Sequence, residues 1–575
     1  MPRNLLRISV VLLLCVLLLA CSREAERSQV DLLQHVPSDT PYAFVNSKHM
    51  PGGLREKLGD HYAAQLAAQG AVFARLREQI EASEDAGPMA HQARGLFEVF
   101  EALFAEFEGR GSAAKMRELG IEPVTRSVIY GIGPLPALRM EIADAGKLEA
   151  MLDRVEKRAG FSASRGELNG QSYRRIDLGN TDAVLSVTEH HAIAGLLPDS
   201  LFERELPLLL GQEYPRTSLA DAGDIEALIE RHGFTGYGEG YLRLDELVSI
   251  TLGRGQGRNS EVMQALGTER LPVSPACMQM TEQLVAGMPR MVIGVAEADD
   301  QRLTARAIWE SNASVAAQLQ RLAAPVPGLG ANYEGLLSFG FGLDLPQLRN
   351  TIEALLREVI SAGESCEWVQ AESLRAVIPQ LNLALGPMTA GIRGFNLQLE
   401  DLAMDPQTLQ PTRVSAGLLA AVDDPRGIFA LGAMFSPALA TLEIPSDGSF
   451  VALPQGLGIE GQTPPLRVAI RDKALLLIAG TESIELANSL VSAVAASPAP
   501  LLAVDYGVYQ LVQRFGSMMD GAAEQLDSQG EPEMAQELRE QLQGFRQQAE
   551  LFDRLRLSVH ASAEGLVMDQ VMELR

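Results

Sequence analysis

The chain has 575 residues, a formal net charge of −26, 46% hydrophobic residues and 21% charged residues. That length exceeds what one core supports, so two or more domains are expected, and the balance is that of a globular rather than a disordered chain. So acidic a surface repels phosphate backbones, which argues against nucleic acid as a partner and against a broad basic face on anionic lipid.

Arg3 and Arg7 precede an apolar run from Ile8 to Leu19, and Leu18-Leu19-Ala20-Cys21 is followed by Ser22-Arg23-Glu24. About a dozen apolar residues fall short of the ~20 that span a bilayer. The basic front and the small residue at the end are those of a signal peptide. The tetrapeptide resembles the lipobox of bacterial lipoproteins, although Leu19 is bulkier than the usual residue before the small one. The resemblance implies a signal peptide over 1–20, cleavage before Cys21 and acylation of Cys21, which becomes the membrane anchor. Several acyl chains hold a protein firmly where one does not. The protein would then be a cell-envelope lipoprotein facing the periplasm, and Ser22 in place of Asp favours the outer membrane over the inner one. An uncleaved anchor and a signal peptide cut elsewhere are the rival readings. Removing Arg3 and Arg7 makes the mature chain still more acidic.

Residues 21–35 read as a tether whose charged part, Ser22 to Gln29, reaches at most ~30 Å. Val36-Pro37-Ser38-Asp39-Thr40-Pro41 then leads into a strand at Tyr42-Ala43-Phe44-Val45, and Gly52-Gly53 breaks the chain. Helical spacing follows at Leu54, Leu58, Tyr62, Leu66, Phe73, Leu76 and Ile80, and again at Leu96, Phe100, Leu103 and Phe107, with Phe97 and Phe104 beside them. The aromatic second stretch lines a core or, on the rival reading, a ligand cavity.

A strand ending in Asp and followed at once by a helix recurs at Asp144, Asp245, Asp344, Asp423-Asp424 and Asp505. A carboxylate there accepts the orphan N–H groups of a first helical turn, so the aspartates are expected to be N-caps, with acidic ligands as the alternative. Hairpins are expected where Met291, Ile293 and Val295 turn at Asp299-Asp300 into Leu303 to Trp309, and where Leu555, Leu557 and Val559 turn at Glu564-Gly565 into Leu566 to Leu574.

Arg290 matches Arg554, His191 to Gly195 matches Leu476 to Gly480, Asp144 matches Asp423, Asp245 matches Asp505 and Phe44 matches Phe339, all in the same order. Order kept at near-constant offset is what tandem duplication produces. The expected fold is therefore α+β, two homologous halves spanning 36–322 and 323–575, each with an antiparallel sheet and packed helices. They meet at the Pro/Gly-rich stretch Ala323 to Gly330.

The lead-in from Val36 to Phe44, the run from Ala137 through Asp144 to Leu152, Gly170-Gln171-Ser172-Tyr173 and the hairpin ending at Ala194-Gly195 together resemble exported, membrane-anchored bacterial envelope proteins of unknown function. The resemblance implies location and architecture and carries no catalytic residues.

Four cysteines are present. With Cys15 in the signal peptide and Cys21 the lipid site, Cys277 and Cys366 remain, and in an oxidising compartment they are most simply a disulfide, with two buried thiols as the alternative. No metal site is expected: no further Cys or His stands at zinc-ligand spacing, and neighbouring His190 and His191 point to opposite sides of a strand. Ser112 and Lys115 make a Ser-x-x-Lys spacing without its companion motifs, and Ser112 is better read as an N-cap. Gly253 to Arg258 is a basic glycine loop that could hold an anion or simply be mobile, and Gly236 to Tyr241 is a glycine-spaced strand. No catalytic residue and no cofactor is assigned. The expected function is non-enzymatic: a protein-interaction or structural module of the envelope. A carrier of lipid or another hydrophobic ligand is the second reading, and an uncharacterised periplasmic enzyme the third.

Overall fold

A computed structural model of the chain describes residues 30–81, 88–267, 273–363, 366, 368–404, 411–454, 466–480 and 483–575. The signal peptide, Cys21 and most of the tether lie outside the described residues, as do the side chains of Phe73, Leu76, Ile80, Leu96 and Phe97. No described helix is long and apolar enough to cross a membrane. Helices and strands are mixed, every described strand pairing with a resolved register is antiparallel, and the chain divides into two compact units. The first comprises the described residues before Val273 together with Arg290–Leu303, and the second comprises Val273–Pro289 and Thr304–Arg575.

The first unit holds β1 (Tyr42–Asn46), β2 (Ser127–Ile132), β3 (Leu135–Glu141), β4 (Ser164–Leu168), β5 (Gln171–Asp177), β6 (Thr181–Val187), β7 (His191–Pro198), β8 (Glu239–Arg243) and β9 (Arg290–Ala298). Their spatial order is β9-β8-β1-β2-β3-β7-β6-β5-β4. Thr40 fixes the start of β1. Its buried hydroxyl donates to the Tyr42 and Gly131 carbonyls and accepts from the Gly131 N–H at 2.8 Å. The helices Gly52–Glu81 and Pro88–Phe107 fill the long connection from β1 to β2. Phe100, Phe104 and Phe107 of the second helix seal one sheet face, packing with Tyr42, Ile129, Leu138 and Met140 and with Leu148 and Met151 of the helix Ala145–Arg158. The opposite face, carrying Val45, Val128 and Ile193, is buried as well, beside the helix Phe202–Leu210.

The second unit holds β10 (Arg302–Glu310, from Thr304 on), β11 (Leu337–Gly342), β12 (Ile392–Met404), β13 (Pro411–Val422), β14 (Val451–Ala452), β15 (Leu466–Arg471), β16 (Ala474–Ala479), β17 (Pro500–Gly507), β18 (Phe552–Ser562) and β19 (Gly565–Leu574). Their order is β10-β19-β18-β17-β11-β12-β13-β16-β15-β14. The Pro/Gly-rich stretch is no exposed connection: Val326 and Leu329 are buried against Leu419, Leu476 and Ala503 and against Leu486 and Leu490 of the helix Ser483–Ser492.

Three of the repeated aspartates cap helices. Asp144, Asp344 and Asp424 accept the N–H groups of Lys147, Gln347 and Gly427 at 3.0, 2.9 and 3.0 Å. Asp245 and Asp505 do not. The Arg243 N–H bonds the Pro41 carbonyl and the helix starts at Leu244, which leaves Asp245 inside the first turn. β17 stays paired with β18 as far as Gly507, so the next helix begins at Val508 and Asp505 remains within the sheet.

Cys277, on the helix Pro275–Gly287, is bonded to Cys366 with Cα atoms 4.6 Å apart. Both residues are buried, and the bond spans 89 residues of sequence. Restricting so long a loop in the unfolded chain stabilises the fold by about 4 kcal/mol on the chain-entropy account. Replacing both cysteines by serine should lower the unfolding free energy by 2–4 kcal/mol on that scale, read from denaturant curves. An unchanged midpoint would contradict a stabilising bridge.

Candidate functional site

The residues singled out for chemistry lie apart. Ser112 occupies an N-cap position, but its side chain does not cap; Asp60 takes the Ala113 N–H instead, at 2.8 Å. Lys115 donates to the Gly109 carbonyl. His190 is exposed beside Glu189, and His191 starts β7. Arg258 of the basic glycine loop is spent internally, its Nε 2.9 Å from the buried carboxylate of Glu205. Among the described residues no group of three or more His, Cys, Asp or Glu side chains is placed to hold a metal.

The glycine-spaced strand has a structural use. Gly240 lies where an added Cβ would meet the Ala43 carbonyl at 2.4 Å, which brings β8 close against β1. Gly236, at φ +90°, turns its N–H onto the Glu239 carboxylate at 2.7 Å, and Gly238 adds a second at 3.2 Å. Glu239 is almost wholly enclosed, and burial outweighs these donors, pushing its carboxyl up to about 7.

What the structure brings together is apolar, and it lies in the second unit. Strand alternation places Leu337, Phe339 and Phe341 of β11 on one sheet face. In register beside them stand Leu399, Leu397 and Phe395 of β12, then Ala416, Leu418 and Ala420 of β13 and Leu477 and Leu475 of β16. On the other flank come Tyr506, Val504 and Leu502 of β17, then Leu555, Leu557 and Val559 of β18. Phe395 stacks edge-on with Phe339 and Phe341, with centroids 5.6 and 4.7 Å apart. Every one of these residues is only half-buried, whereas their strand neighbours on the opposite face, Asn396, Leu419, Leu476 and Ala503, are enclosed. The helix Ala371–Ala384, which follows β11, carries Leu374, Val377, Ile378 and Leu381 yet buries none of its residues. A sheet face this apolar normally lies under a packed layer.

A cleft of about 550 Å³ opens at the ends of β11 and β12, beside residues that alternate away from this face. Leu336 and Glu400 line it next in sequence to Leu337 and Leu399, and the helix Val508–Ser528 adds Tyr509, Gln510, Gln513 and Arg514. The segment before β11 adds Tyr333 and Glu334. An Asp505 hub braces that segment: its carboxylate accepts the Tyr333 N–H at 3.1 Å and holds Arg554 at 2.6 Å and Arg556 at 3.0 Å. Arg554 in turn donates to the Gly335 carbonyl at 2.7 Å. The Tyr333 hydroxyl is enclosed and has no hydrogen-bond partner among the described residues, and burial first, then Glu400, pushes its ionisation upward. Neither the half-covered face nor this hub was singled out from the sequence. The signal available was alternation in β11 and β12, with large apolar residues on one side and Gly, Ser, Asn or Gln on the other.

Compared with family models, curated proteins and solved structures, the chain matches none.

Two outcomes follow from these buried charges. Removing the Asp505 carboxylate (Asp505→Ala) leaves the enclosed Arg554 without its counter-charge and should cost about 3–5 kcal/mol, measured by urea unfolding. A loss below about 1 kcal/mol would show that the hub is not structural. For Glu239, the folded carboxyl keeps its proton up to about 7 while the unfolded one loses it near 4.5. The folded state therefore binds more protons between those values, and its stability falls as pH rises through that window, by roughly 3 kcal/mol in all. Glu239→Gln should flatten that part of the stability–pH curve. The same slope in wild type and variant would remove Glu239 as its source.

Proposed function

We propose that this protein is a non-enzymatic, lipid-anchored envelope protein whose second unit binds a hydrophobic ligand against the half-covered sheet face. One observation carries the reading. In the first unit Tyr42, Ile129, Leu138 and Met140 of one sheet face are enclosed with Phe100, Phe104, Phe107, Met116 and Met151, Phe44 being partly buried among them, whereas in the second Phe339, Leu397, Leu418 and Val504 are all only half-buried. Burying that much large apolar surface is worth ~25 cal/mol per Å², and leaving it accessible is costly unless something occupies it. Anchoring through Cys21, with the body facing the periplasm and the outer membrane as the site, remains part of the proposal. It rests on the lipobox resemblance and would keep the protein beside a source of acyl chains.

The same proposal includes a tandem duplication. Its support is that each sheet is threaded alike. From β1 the neighbours run β2-β3-β7-β6-β5 on one side and β8-β9 on the other; from β11 they run β12-β13-β16-β15-β14 and β17-β18. Two matched sequence pairs stand at like positions in the two sheets, Phe44 and Phe339 on β1 and β11 and Arg290 and Arg554 on β9 and β18, whereas Asp505 stands in β17 and Asp245 in the helix after β8.

A second reading, docking onto another envelope protein, is favoured by Met434 and Phe435, which end the apolar helix Pro425–Phe435 and are 80% and 75% exposed.

The ligand reading is tested with N-phenyl-1-naphthylamine, a neutral apolar dye, on the purified full chain, beside mass spectrometry of solvent extracts. The dye should bind and brighten. Leu397→Gln should weaken it about tenfold, the ~1–2 kcal/mol expected for a polar amide in an apolar site, while circular dichroism stays unchanged. No dye binding together with lipid-free extracts would overturn the reading.

A further inference from the structure

Resting on that ligand reading, we infer that the ligand is a lipid whose hydrocarbon chain is held between the Phe339 face and two helices, Ala371–Ala384 and Pro425–Phe435. The chain fills the layer that the first unit makes from its own side chains. In the first unit the second helix of the pair after β1 and the helix after β3 meet over the sheet. Phe100, Phe104 and Phe107 of the one are packed with Leu148, Met151 and Val155 of the other in a single enclosed cluster. In the second unit the Ala371–Ala384 helix ends the pair after β11, and the Pro425–Phe435 helix follows β13. The helices after β3 and β13 match position by position. Leu148, Met151 and Val155 stand four, seven and eleven residues after the capping Asp144, and all three are buried. At the same distances from the capping Asp424 stand Ile428, Leu431 and Phe435; the first two are half-buried and Phe435 is 75% exposed. On the other helix Leu374, Val377, Ile378 and Leu381 form one stripe at helical spacing, and none of them is buried.

The surfaces that meet in the first unit therefore stay short of burial in the second, each of them apolar. They are also neutral. No Asp, Glu, Lys or Arg occurs from Ala376 to Ile392 or from Gly427 to Leu442. A polar head group gains nothing beside such walls, so the hydrocarbon chain is the part recognised. The floor sets its shape. The face crosses six hydrogen-bonded strands, β16-β13-β12-β11-β17-β18, and five spacings of ~4.8 Å make it about 24 Å long. An acyl chain spans about 15 Å, half of the ~30 Å bilayer core, so an extended chain lies on the floor at full length. The Ala371–Ala384 helix is aliphatic where its counterpart carries Phe100, Phe104 and Phe107, and the space those rings fill in the first unit is left for the chain.

The experiment uses the full-length protein with N-phenyl-1-naphthylamine. Val377→Ser combined with Phe435→Ser should weaken dye binding about tenfold through the loss of two apolar contacts. Both side chains are exposed, so circular dichroism should not change. Val494→Ser, at an exposed apolar residue on neither helix, should leave the affinity as it is. Saturating dye should slow amide hydrogen exchange in 371–384 and 425–435 about tenfold, as open helices gain a packed partner. Hexadecanoate should displace the dye at a concentration at least ~10-fold lower than octanoate, both below their critical micelle concentrations. A benzophenone photocrosslinker placed at Phe435 should label lipid in cells. With the dye bound, wild-type affinity in the double variant, an equal loss in Val494→Ser, or unchanged exchange in both helices would overturn the two walls and leave the ligand reading standing. Equal displacement by the two acids would overturn the hydrocarbon chain, and labelling of protein alone would overturn the assignment in favour of docking. Failure of the dye to bind at all would overturn both this inference and the ligand reading.

Discussion

A β-sheet has two faces, and an apolar one must be covered by something the chain supplies or something it finds. In the first unit that requirement is met from within: Phe104 and Met151 close one side and the helix Phe202–Leu210 stands on the other. In the second unit the chain covers only one side fully. Leu419, Leu476 and Ala503 disappear under Leu486, Leu490 and the Val326–Leu329 stretch, while Phe339, Leu397 and Val504 on the reverse side stay half-buried. Small and polar residues stand on the closed side of β11 and β12 (Ser338, Gly340, Asn396), where space is tight, and the large ones stand on the open side. The sequence thus places its bulk where packing is least complete, the reverse of what stability alone would select.

Buried charge is the second constraint. An enclosed carboxylate or guanidinium persists only with its partner, because desolvation costs several kcal/mol per ion. Asp505 ties β17 to β18 through Arg554 and Arg556 and reaches across to the Tyr333 backbone, so one carboxylate holds both the sheet and the wall of the cleft. The first unit solves the same problem differently in β8, where Glu239 is met by backbone N–H groups and keeps a carboxyl that is hard to ionise. Arg174, also enclosed, gathers Asp153 and Glu156 from the helix Ala145–Arg158 and so clamps that helix to β5.

Much of the local structure is written in short-range chemistry. Alternation marked the hairpin β18–β19, the cap residues Asp144 and Asp344 stood where their helices needed an acceptor, and counting cysteines led to Cys277 and Cys366, which are bonded. Asp505 shows where that reasoning stops. Its local sequence, a strand ending in Asp before an apolar helix, is the same as at Asp144, yet β17 runs on because β18 offers it partners through Gly507. Only tertiary pairing distinguishes the two. The half-covered face was illegible for a similar reason: the period of two gives the side on which a residue stands, but not whether a helix arrives to cover it. The Ala371–Ala384 helix carries Leu374, Val377, Ile378 and Leu381 at helical spacing and buries no residue.

If the two halves descend from one module, the connection after the first strand is where they parted. After β1 the chain spends its aromatic residues, Phe100, Phe104 and Phe107, on closing the sheet. After β11 the corresponding helices, Leu345–Gly363 and Ala371–Ala384, carry leucine and valine and no aromatic ring, and the disulfide from Cys277 to Cys366 fastens the short segment between them to the Pro275–Gly287 helix. Closing the second unit's sheet face from within would need aromatic bulk on these two helices comparable to Phe104 and Phe107.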